Sequence, residues 1–159
     1  MQQTRKYLIW IAIIFALVFL SFYRDYFFRC INAMLMAWDY DMDYPMPSHL
    51  SFFEQLDYNT VLNLKWFFTL LFAFLFYVIS HFAINYQFSN KGFNRITLFV
   101  FVGLTVFSAI FIGVGFVSSA LSERMYEFAR FLMGLAQSPF VLMVMIPALM
   151  LVEKEKQKA

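Results

Sequence analysis

Apolar positions gather in four long runs, at 8–23, 66–84, 96–121 and 131–152. Each approaches or exceeds the roughly 18 residues that carry a helix across a bilayer. The pattern predicts an all-α, polytopic integral membrane protein, one membrane domain over 1–159 with four transmembrane helices and a charged tail at 153–159. The first run follows Arg5 and Lys6, as a signal peptide would. Phe22, Tyr23, Arg24 and Asp25 then replace the small-residue cleavage site, so it reads as an uncleaved anchor. Short connections after the second and third runs favour antiparallel neighbours.

The long connection, 24–65, holds the one candidate for folded structure outside the bilayer. Phe27, Cys30, Ile31, Met34, Leu35 and Trp38 recur at i, i+3, i+4 spacing, one face of a helix. This predicts a short interfacial helix over 27–38, flat on the outer leaflet or packed across the bundle mouth, with Trp38 at headgroup depth. An extension of the first membrane helix is the alternative. Acids then alternate with large apolar residues from Asp39 to Asp43 before Pro45 and Pro47 close the run. Tyr44 and Leu50 stand where a calcium loop needs Gly and Glu, so a solvated acidic loop is the better reading. Ser51-Phe52-Phe53-Glu54 matches a capping box and predicts a second short helix.

Composition removes the soluble alternatives: 62% of residues are hydrophobic and 14% charged. A net charge of +2 gives no case for nucleic acid binding, and Cys30, the lone cysteine, cannot form an internal disulfide. With the N terminus inside, the inner flanks hold seven cations and two acids, and the outer flanks five cations and eight acids. The cation bias favours both termini in the cytoplasm.

Polar residues inside apolar spans are the first functional candidates, because hydrocarbon penalises them unless they are partnered. Thr69, Ala73, Tyr77 and His81 share a face of the second span, and His81 reads first as a structural, hydrogen-bonded residue. Ser108, Gly115, Ser119 and Ser122 lie close to one face of the third, with Ala109 and Gly113 beside them, a small-residue stripe suited to close helix contact. Gln137, Ser138 and Pro139 predict a polar break in the fourth span, and Pro147 predicts another. Cys30, His49, Arg24 and Arg29 share the outer side. A Cys/His nucleophile pair is chemically conceivable there, but Cys30 falls on an apolar face where a thiol is usually a packing residue. No motif calls for a cofactor or a metal.

Four stretches carry a resemblance: Phe22-Tyr23-Arg24-Asp25-Tyr26-Phe27-Phe28 after the first span, the Pro-containing loop before Asn59, Asn63-Leu64-Lys65-Trp66 opening the second, and Gln137-Ser138-Pro139 with Ile146-Pro147-Ala148-Leu149 in the last. Together they resemble the small membrane proteins associated with exosortase systems of Gram-negative bacteria. Lys65-Trp66 stands where that family would carry Arg-Tyr. The resemblance implies a non-enzymatic accessory protein of the bacterial inner membrane, companion to a larger cysteine-dependent membrane protease or transpeptidase, with no catalytic residues to transfer. On this reading Ser108, Gly115, Ser119, Ser122, Trp38 and Gln137 are partner or packing contacts, and His81, Cys30 and Arg29 are further functional candidates. Membrane lipids are the other expected partners. The competing readings are a small membrane enzyme using Cys30 with a histidine, and a binder of lipid or a small ligand.

Overall fold

A computed structural model describes residues 2–88, 90–117 and 122–156. Among them are five α-helices and one 3-10 helix, with no strand: α1 (Gln2–Asp39), the 3-10 helix (Ser48–Gln55), α2 (Tyr58–Gln87), α3 (Lys91–Val117), α4 (Ser122–Ala136) and α5 (Phe140–Lys156). α1, α2 and α3 are long and apolar enough to cross a membrane, and α4 with α5 make a fourth crossing if counted as one bent span. Only 11%, 33% and 17% of the apolar windows of α1, α2 and α3 are buried within the protein. Phe15, Phe19, Phe74, Phe99 and Phe107 all face outward. Such a surface is compatible with a membrane location, where lipid covers it.

The expected separate helix at 27–38 is instead the upper part of α1, which runs unbroken through 38 residues. No Gly or Pro lies between Tyr23 and Asp39, so nothing interrupts the backbone ladder. At 1.5 Å per residue α1 spans about 57 Å, well beyond a hydrocarbon core of about 30 Å. Its end is a Schellman turn: Met42 N–H donates to the Ala37 carbonyl at 2.8 Å and Asp41 N–H to Trp38 at 3.3 Å. Asp41 takes the left-handed conformation that this turn requires, at φ 54°.

The apolar face of 27–38 is buried, though against protein rather than against the membrane surface. Phe27, Cys30, Ile31, Met34 and Leu35 pack with Met46, Leu50, Phe53, Val61 and Phe72. The connection thus folds back over the upper half of α1. The Ser51/Glu54 capping box does not form. Both residues lie inside the 3-10 helix, whose first turn has no side-chain cap. Ser51 donates to the Ser48 carbonyl, and Glu54 accepts from Met46 N–H at 2.7 Å, pinning the loop to the helix.

Asp57 caps α2, accepting from Thr60 N–H at 3.2 Å and from the Thr60 hydroxyl. The hydroxyl bond first, then the backbone bond, holds the Asp57 carboxyl below its ordinary value of 3.8. A carboxyl lowered by folding stabilises the fold fully above its unfolded value, and that contribution is lost as pH falls through the lower folded value. Asp57→Ala is therefore expected to unfold earlier than wild type at neutral pH and to converge with it in acid. Unfolding midpoints measured across that range check this, and a constant difference at every pH contradicts it.

A second cluster joins all five helices: Ile13 and Leu17, Ala73 and Phe76, Phe93 and Phe101, Ala136, and Val141, Leu142, Met145 and Leu149. The final span expected at 131–152 is two helices meeting at 63°. Pro139 has no N–H, and its ring clashes with the carbonyl four residues back, so the ladder cannot continue. That carbonyl, of Leu135, accepts from Ser138 N–H at 3.2 Å and from the Ser138 hydroxyl at 2.8 Å. Pro147, by contrast, makes no second break, and α5 continues through it.

Candidate functional site

α4 packs chiefly on α3 and also touches α2, while α1 lies along α2. Where these four helices meet, they leave a cavity of about 390 Å³. α1 contributes Arg24, Phe28 and Asn32. α2 contributes Lys65, Trp66 and Thr69. Ser108 and Ile112 come from α3, and Tyr126, Ala129, Arg130, Met133 and Gly134 from α4, with Gln137 from the bend. Ser108, Ala129 and Gln137 are buried and form the floor, while Asn32, Trp66, Tyr126 and Arg130 are exposed and form the rim. The lining carries three cations and no carboxylate.

Arg24 and Gln137 set the geometry of the floor. Arg24 Nη1 donates to the Gln137 carbonyl at 2.7 Å, and the Gln137 side-chain amide donates to the Thr69 carbonyl. The bend between α4 and α5 is thereby tied to α1 and α2 at once. Freed carbonyls at a helix break need such partners in a low-dielectric setting. Arg24 Nη2 also pairs with Asp25 at 2.9 Å. Its Nε is buried and, among the described residues, has no partner. Ser108 donates to the Ala129 carbonyl at 2.8 Å, joining α3 to α4 across the floor.

The other sequence candidates lie apart from this cavity. Cys30 is 5% exposed in the upper cluster. The Tyr44 phenol is pushed up from its ordinary value by burial first and by the neighbouring Cys30 thiol second. Trp38 is half-buried with its ring 6.2 Å from that of Tyr58. Arg29 is exposed. His49 stacks on Tyr26 at 5.6 Å, and His81 Nδ1 lies 3.5 Å from the Tyr77 hydroxyl. Gly115 is half-buried near the end of α3, Ser119 lies outside the described residues, and so does the side chain of Ser122. Ala109 and Gly113 face outward, with open space at the Cβ position of Gly113. Among the described residues no three His, Cys, Asp or Glu side chains gather as a metal site.

Arg130, Tyr126 and Asn32 are polar lining residues that the sequence did not single out. One signal was available: Arg24, Lys65 and Arg130 flank three different apolar runs at the same predicted membrane boundary. Arg130 served there only to orient the chain, while Arg24 and Lys65 also lie in stretches that carry the resemblance. No family model, curated protein or solved structure matches the chain.

Proposed function

We propose that this is a non-enzymatic accessory protein of a bacterial inner membrane, acting beside a larger integral membrane partner of the exosortase type. One observation carries the reading: three of the stretches on which the resemblance rests converge on the cavity. Arg24 and Phe28 come from the first, Lys65 and Trp66 from the second, and Gln137 from the third. Stretches far apart in sequence meet at one polar site, as a binding site requires. The packing of Cys30 away from both the cavity and the chain's exposed surface also suits a role without a nucleophile. With both termini in the cytoplasm, the cavity opens at the outer face, beside the folded connection.

Photo-crosslinking side chains placed at Asn32 and Tyr126, on the rim, test this in native membranes. Leu98 and Phe99, exposed on the apolar side of α3, serve as comparison positions. The expected result is one larger membrane protein attached from the rim positions and only lipid from the comparison positions. Adducts to lipid or to a second copy alone, from all four positions, overturn the proposal.

A further inference from the structure

The lining of the cavity is electrostatically one-sided, which sets the chemistry of what it holds. Arg24, Lys65 and Arg130 surround about 390 Å³ of space, with no acid among the lining residues. Asp25 offsets one charge, through its 2.9 Å contact with Arg24. Among the described residues neither Lys65 nor Arg130 has an ion-pair partner. Like charges gathered around one space repel, most where they are partly desolvated as Arg24 and Lys65 are, and the repulsion is relieved by a bound anion.

The remaining lining refines the class of anion. Tyr126 and Asn32 supply a hydroxyl and an amide donor, the Thr69 and Ser108 hydroxyls already donate to the Lys65 and Ala129 carbonyls, and Phe28, Ile112 and Met133 supply apolar wall. Trp66 and Tyr126 on the rim, 43% and 46% exposed, are the residue types that settle at headgroup depth. Arg with Lys is the pairing that suits a phosphate, the guanidinium through its fork and the ammonium as a point charge. We infer that the cavity binds the phosphate of a phosphate ester, with Lys65, Arg130 and Arg24 as its cationic contacts. The inference rests on the cavity being the working site, and not on which protein partner stands beside it.

The purified full-length protein in neutral mild detergent is the starting point, with affinity read by the change in intrinsic tryptophan fluorescence, Trp66 being on the rim. One arm adds phosphatidylglycerol in mixed micelles, with phosphatidylcholine as the zwitterionic comparison. The other adds glycerol phosphate or inorganic phosphate in solution. Saturable binding of phosphatidylglycerol alone assigns a lipid source, and binding of the soluble esters assigns a soluble one. In either case Lys65→Gln with Arg130→Gln is expected to weaken binding about tenfold or more, given the effect of single cations on anionic lipid. Neither side chain carries a hydrogen bond of the fold among the described residues, and circular dichroism with the thermal midpoint verifies folding. Lys6→Gln with Arg95→Gln, at the opposite end, controls for general charge. The inference is overturned if no phosphate compound binds, or if both double variants weaken binding equally. Neither result bears on the crosslinks expected from the rim.

Discussion

Replacing Phe76 by alanine is expected to lower the stability of the bundle by about 2 to 3 kcal/mol, chiefly through the cavity left behind. Phe76 is fully buried at the centre of the cluster that joins all five helices. In a water-soluble core such a change also loses the transfer of the ring out of water. Between helices in a membrane the reference state is lipid, so that part largely disappears. What remains is lost contact: roughly 100 Å³ of missing side chain at about 24 cal/mol per Å³. Phe74, two residues away and 58% exposed, makes the comparison. Phe74→Ala removes the same ring from an outward face and should change stability by less than about 0.5 kcal/mol. Unfolding titrations with a denaturing detergent from mild micelles measure both. Equal losses would mean that Phe76 is not at the centre of a packed core.

Arg24→Ala is expected to cost about 1.5 to 3 kcal/mol, the range for a hydrogen bond to a charged group whose partner is left buried. The partner is the Gln137 carbonyl, released from the helical ladder at the bend and bonded to Nη1 at 2.7 Å. Gln137→Leu removes a different bond, that from the side-chain amide to Thr69, and leaves the carbonyl in place for Arg24. Its expected cost is smaller, about 0.6 to 1.7 kcal/mol, as for interhelical hydrogen bonds in membranes. Because both bonds tie the same bend, the two losses should not add, and the double variant is expected to depart from their sum by about 0.5 to 3 kcal/mol. Additivity within about 0.3 kcal/mol would show that the two bonds hold the bend independently. A spin-label distance between α1 and α5 should broaden in Arg24→Ala and stay narrow in Gln137→Leu, because only the former frees the bend.

What the sequence determined by itself is local. Apolar runs long enough to span a bilayer, the helical face from Phe27 to Trp38 and the break at Gln137-Ser138-Pro139 all follow from side-chain period and proline sterics within a few residues. Those features reappear as α1, α2, α3 and the bend between α4 and α5. Tertiary structure decided which surface each face meets. The 27–38 face has the same period whether it lies on lipid or on protein, and it was the fold of Met46, Leu50 and Phe53 over α1 that settled it. The pairings that build the cavity join residues 113, 68 and 21 positions apart: Arg24 with Gln137, Gln137 with Thr69, and Ser108 with Ala129. No periodicity within one helix encodes such contacts, because they depend on how separate helices rotate and cross. For the same reason three cations that read as flanking charges in the sequence stand around a single cavity in the folded chain.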